Sequence, residues 1–116
     1  AGLYNQSRND RRAGKLAESA SLNAEMAKRW PQDTTIQFLM VESLLLDSKK
    51  PADALAAVNK ISVGATDTRW RPRQANLKAD IFMAMGKPDS AKAVLSAAST
   101  ALPQNTRLKA RLDSLK

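Results

Sequence analysis

The sequence predicts an all-α chain of antiparallel helix hairpins, and three observations carry that prediction. Apolar and small residues recur at steps of three and four, the spacing of one helix face. No segment alternates apolar and polar residues as a half-buried strand would. A phrase that opens with Lys-Pro and runs into alanines and branched aliphatics is written twice, "KPADALAAV" at 50–58 and "KPDSAKAVL" at 87–95. Proline suits the first position of a helix, because its φ is already helical and its missing N–H would go unbonded there anyway.

Each element follows in order. From Asn9 to Arg29 the steps Ala13, Leu16, Ala17, Ala20, Ala24 and Ala27 predict one amphipathic helix. It stops before Pro31, which disfavours a helical Trp30. Asp33, Thr34 or Thr35 then caps a helix carrying Ile36, Phe38, Leu39, Val41, Leu44, Leu45 and Leu46. That helix is apolar nearly all round and is expected to be the most buried. "DSKK" at 47–50 is a turn, and Pro51 opens a helix running to about Ile61. "SVGATDT" at 62–68 is a loop. A further helix runs from about Pro72 to Met85 and ends at Gly86; another runs from Pro88 to about Leu102 and ends at Pro103. A last amphipathic turn or two carries Leu108, Leu112 and Leu115.

Composition narrows the chemistry. The 116 residues suffice for one domain or a short array, and with aromatics at 4% the core must be aliphatic and alanine-rich. There is no cysteine, which excludes a disulfide framework and a Cys-based zinc site. There is no histidine, which removes the usual general base, metal ligand and serine partner. No glycine-rich phosphate loop and no paired metal-binding motif are present, and the carboxylates are scattered. The reading is therefore non-catalytic, with no cofactor and no metal. No apolar run reaches the ~18 residues of a membrane span. The chain starts at Ala1 rather than Met and reads as a piece of a longer protein, with cytoplasm and periplasm both open.

The echoed phrase fixes a ruler. Ala54, Val58 and Ile61 align with Ala91, Leu95 and Ala98, and a large residue, Leu45 or Phe82, stands nine before each alanine. Upstream, Ala13, Ala17 and Ala20 keep the same spacing, with Tyr4 nine before Ala13. Positions 13, 54 and 91 lie 41 and 37 apart by subtraction, a period typical of helical-hairpin arrays. The small residue lets the second helix approach the first closely, and later inward residues pack on the next hairpin.

With these residues in view, the chain resembles the tetratricopeptide repeat family, in which a large residue, a turn glycine, an alanine, an aromatic, an alanine and a closing proline recur. Phe82, Gly86, Ala91, Leu95, Ala98 and Pro103 match, with Leu95 for the aromatic. In the middle copy Phe38, Val41, Leu45, Ala54 and Val58 fit, while Lys49 replaces the glycine and no closing proline follows. The first copy lacks most of its opening helix, and its second helix overruns toward Trp30. The resemblance implies one array over 1–116, with copies at 1–31 (partial), 33–62 and 70–103 and a capping helix at 104–116, stacked as a short right-handed solenoid. It implies a protein or peptide partner held in a concave groove by Leu39, Ser43 and Leu46 beside Arg73, Asn76, Asp80 and Met83. Only Arg73 and Asn76 resemble the positions of the carboxylate-clamping subset, so capture of a C-terminal carboxylate is not implied. The loose, alanine-rich repeats point to a bacterial parent.

Against this stands a packing reading, in which Leu39 and Leu46 are core and Arg73 is solvated. A second functional reading starts from the net charge of +8. "RWRPR" sets Arg69, Arg71 and Arg73 around Trp70 and Pro72, and Arg107, Lys109 and Arg111 add charge near the end, as nucleic acid or another polyanion would require. The plainer account makes Trp70 the packing residue that opens a hairpin and the arginines its solvated rim, with Arg8, Arg11, Arg12 and Lys15 an ordinary polar face. A third reading is a structural spacer that self-associates into a homo-oligomer through an uncapped terminal hairpin.

Overall fold

The computed structural model describes residues 2–115, and the side chain of Tyr4, the expected anchor of the first copy, lies outside the described residues. Those residues form seven α-helices and no strand. They divide into an N-terminal unit, Ala1–Ile61, and a C-terminal unit, Ser62–Lys116. The first holds α1 (Gly2–Arg12), α2 (Leu16–Arg29), α3 (Thr34–Leu46) and α4 (Pro51–Asn59). The second holds α5 (Trp70–Ala84), α6 (Pro88–Ala101) and α7 (Thr106–Ser114). Within each unit every helix packs on its neighbour in sequence.

The expected single helix from Asn9 to Arg29 is two. It breaks at Gly14, whose φ of +81° lies in the left-handed region. There the Gly14 N–H donates to the Arg11 carbonyl at 3.1 Å and the Lys15 N–H to the Asp10 carbonyl at 2.7 Å. These reversed bonds satisfy the last carbonyls of α1. Gly86, at φ +72°, closes α5 in the same way, with Lys87 donating to the Phe82 carbonyl at 2.8 Å. The middle turn places Lys49 at φ +54°, strained for a residue with a Cβ. Its closing bond, from the Lys50 N–H to the Leu44 carbonyl at 2.8 Å, spans one residue more.

These turns reset the repeat. Gly14, Lys49 and Gly86 each stand five before a fully buried small residue, namely Ser19, Ala54 and Ala91. By subtraction the copies are 35 and 37 apart, not 41 and 37. Ala13 is exposed beside the first turn, so Ser19 takes the close-approach position expected of Ala13. The opening helix of the first copy, expected to be mostly missing, is present over 11 residues as α1. That helix is mostly polar in sequence, "GLYNQSRNDRR".

Caps follow the same alternation. The second helices of the hairpins start behind Lys15, Lys50 and Lys87 with no side-chain cap, two of them with proline in the first turn. Helices α3 and α7 start behind Asp33 and Asn105, whose side chains accept from the Ile36 and Leu108 N–H groups. Both follow the same short phrase, Pro31-Gln32-Asp33-Thr34 and Pro103-Gln104-Asn105-Thr106, 72 residues apart by subtraction. That separation equals the two repeat periods, so α7 opens with the chemistry of a first helix.

Each unit has its own core. In the N-terminal unit Phe38 and Val41 of α3, Val58 of α4 and Met26 of α2 are sealed from solvent. In the C-terminal unit Ala75 and Ala79 of α5 meet Ala91, Leu95 and Ala98 of α6 and Leu108 of α7, with Phe82, Leu102 and Leu112 at the margin. Burying a Phe38 or a Leu95 contributes about 2 kcal/mol. Alanines at 79, 91 and 98 let α5 and α6 approach closely enough for those larger side chains to interlock.

Candidate functional site

The faces of α3 and α5 that the groove expectation named are only partly accessible. Leu39 and Ser43 are interior, at 5% and 2% exposure. The physical reason is that α3 is apolar on more than one face and packs against both α2 and α4. Ser43 donates its hydroxyl to Asp47 at 2.9 Å and offers nothing to a partner. On α5, Asn76 and Asp80 are already engaged. Arg111 of α7 donates to the Asn76 carbonyl at 3.2 Å and side-chain oxygen at 3.0 Å, and pairs with Asp80. A guanidinium of the chain itself thus occupies the place expected of a ligand. Arg73 is half-buried.

Leu46 and Met83 remain, and they are the informative pair. Each stands eight before its buried alanine, Ala54 or Ala91, so they are the same position of two copies. Both are large, apolar and exposed, at 45% and 43%. Each belongs to a different unit, and each presents its own hydrophobic point on the opening helix of a hairpin.

The arginine cluster is dispersed. Helix α5 begins at Trp70 rather than Pro72, so the "RWRPR" run is its first turn. Positions 69 and 73 share a side of the helix, and position 71 is turned about 200° from each. The Arg69 guanidinium lies 4.6 Å from the Trp70 ring centre. Three cations at a helix start oppose its dipole, and Asp67 answers them. Its carboxylate accepts from the Arg69 and Trp70 N–H groups at 2.8 and 2.7 Å.

The N-terminal unit hides a polar cluster that sequence reasoning missed. The Asp47 carboxylate, its side chain fully buried, accepts two bonds from Arg11 at 2.7 and 3.1 Å and one from the Ser19 hydroxyl at 2.7 Å. Since Ser19 has given its only proton to Asp47, Ser7 must donate in the 3.3 Å Ser7–Ser19 contact. Asn23 in turn donates to Ser7 at 2.5 Å. Burial pushes the Asp47 carboxyl upward, but the bonds from Arg11, Ser19 and Ser43 together with the Arg11 charge outweigh it and hold the group below its ordinary range. The cluster ties α1, α2 and α3 together. Its signal was a set of small polar residues at core spacing, which reads as surface unless the Gly14 turn is found first.

The same unit carries a groove of about 400 Å³ between Trp30, Pro31, Ile36, Met40, Ala57 and Lys60, with Trp30 47% exposed at its edge. Among the described residues no helix is long and apolar enough to cross a membrane.

The family model of the tetratricopeptide repeat-like domain matches residues 4–116. Neither a curated protein nor a solved structure matches the chain. The family is generally non-catalytic and is commonly used in protein interaction. The match runs through both units, all seven described helices and the hairpin turns at 14, 49 and 86, and the chain belongs to the tetratricopeptide repeat-like family.

Proposed function

We propose that this chain is a non-catalytic protein-interaction module of a larger bacterial protein, binding a protein or peptide partner through the opening helices of its hairpins. One observation carries the reading. Leu46 and Met83 occupy the same repeat position and are both left exposed, although each is large enough to be worth about 2 kcal/mol if covered. A scaffold that buries Ala54 and Ala91 completely and leaves this position uncovered twice has a use for it. Leu39 and Ser43 support the α3 face from within, while Arg73, Asn76 and Asp80 flank Met83 on α5. The right-handed solenoid stacking implied by the resemblance belongs to the same proposal. Because the helices are preformed, binding orders little of the scaffold.

The test is photo-crosslinking from positions 46 and 83 in the full-length parent, followed by affinity measurement with the partner so identified. Leu46→Glu and Met83→Glu are expected to weaken that partner while leaving thermal stability unchanged. If both variants bind it as wild type does, these faces are not the site. Asn76→Ala is unsuitable as a binding test, because it also removes an acceptor of Arg111.

A further inference from the structure

We propose that the cavity between α5 and α6 is a binding site for an acidic peptide segment, with Arg71 and Lys78 each pairing one carboxylate. The cavity holds about 370 Å³, within the range of small-ligand sites. Arg71, Gln74 and Lys78 of α5 form one wall, and Ala93, Val94 and Ala97 of α6 form the other. Positions 71, 74 and 78 follow the steps of a single helix face, and the two cations are separated by about 10.5 Å along its axis. The α6 side is open because its residues are small: Ala93 and Ala97 are exposed and leave the space a leucine would fill.

The charge in this cavity is uncompensated. Among the described residues no carboxylate reaches Arg71 or Lys78. Asp80, the acidic residue of α5, is bound to Arg111 of α7. Burial and the field of Arg71 both lower the Lys78 amine from its ordinary value, which shows that the two cations feel one another across a partly desolvated wall. An anion placed between them relieves both effects.

The spacing selects the occupant. A polyproline II segment has about three residues per turn and rises about 3.1 Å per residue, so acidic side chains three residues apart share one side, about 9 Å apart, and meet both cations. A single-stranded nucleic acid is held by rings on which its bases stack. The cavity has none among its lining residues, and the Trp70 ring just before it is overlaid by Arg69. The site lies on a different face of α5 from Met83, so it stands or falls apart from the function proposed above.

The probe is the peptide acetyl-Glu-Pro-Pro-Glu-amide, titrated into the whole chain and followed by amide chemical shifts. Shifts are expected in 71–78 of α5 and 93–97 of α6. Arg71→Ala and Lys78→Ala should each weaken the peptide by about tenfold, as loss of a charged hydrogen bond does. Ala97→Leu, which keeps both cations and fills the space, should weaken it comparably, while Met83→Glu should leave it unchanged. The proposal is overturned by the absence of shifts at α5 and α6, by equal binding of the Gln-Pro-Pro-Gln analogue, or by unaltered affinity in the three cavity variants. It is equally overturned if inorganic phosphate or a thymidine oligonucleotide displaces the peptide at lower concentration, which would make the face a general anion surface.

Discussion

The Arg11 guanidinium grips the Asp47 carboxylate through two hydrogen bonds, 2.7 and 3.1 Å long, and so fastens the first helix to the end of the third. Asp47 is fully covered and Arg11 only one-fifth exposed, so neither charge is free to return to water in the folded unit. Removing the cation alone leaves a buried carboxylate. Arg11→Met is therefore expected to cost the N-terminal unit about 3 kcal/mol. Arg11→Lys, which keeps the charge but not the fork, should recover only part of that. Urea denaturation measures both, and a double-mutant cycle with Asp47→Asn should return a coupling of about 2 kcal/mol. A coupling near zero would mean that the pair is held in place by the rest of the unit rather than holding it.

The same carboxylate sets a pH dependence. Its folded pKa is depressed, so the unfolded chain takes up the proton first as pH falls. The stabilisation is fully present above the unfolded value of about 3.9 and is lost as pH drops through the lower folded value. Thermal melts of wild type should fall more steeply between pH 5 and pH 2 (roughly the span on either side of that carboxylate value) than melts of Asp47→Asn. Parallel curves would remove Asp47 from the acid response.

The repeat register gives a sharper contrast. Ala54 and Ala91 are sealed where two helices approach, whereas Ala13 is exposed beside a turn. Ala54→Leu and Ala91→Leu are expected to destabilise their units by about 2 kcal/mol through overpacking. Ala13→Leu should stay within about 0.5 kcal/mol of wild type. Equal losses at all three positions would restore the register that begins at Ala13.

What the sequence disclosed and what it concealed divide along physical lines. Pro51 and Pro88 announce helix starts because proline has one φ and no N–H, and Gly86 announces a helix end because it tolerates a left-handed turn. Both signals are local and survived intact. Gly14 carried the same information, and "GK" at 14–15 repeats "GK" at 86–87, but no proline follows it. The alanines at 13, 17 and 20 continue a helical spacing straight across the break, and periodicity cannot register an interruption that keeps its phase. The polar core at Ser7, Ser19 and Asn23 was concealed for a different reason. Buried polar groups are acceptable only with partners, and those partners come from three separate helices. In the expected groove, Leu46 and Met83 proved accessible, but the burial of Leu39 and Ser43 and the capture of Asn76 and Asp80 by Arg111 depend on neighbours that spacing within one helix does not describe.

The turns can be tested by exchange. Lys49 holds a left-handed φ that costs a residue with a Cβ about 1 kcal/mol, and Gly86 meets no atom within contact distance where a Cβ would stand. Lys49→Gly should stabilise the N-terminal unit by about 1 kcal/mol, and Gly86→Ala should destabilise the C-terminal unit by a similar amount through φ alone. Equilibrium denaturation reads both, and a Lys49→Gly variant weaker than wild type would show that its side chain compensates for the strain.

Helices that pack on their immediate successors also govern how the chain reaches its fold. Contacts between near neighbours demand only short loop closures, and such topologies fold quickly because little chain entropy is surrendered before a contact forms. A hairpin bent by Gly14 or Gly86 can complete its own pairing while the residues beyond it are still being synthesised. Successive copies can then pair in the order in which they emerge, with no wait for a distant partner.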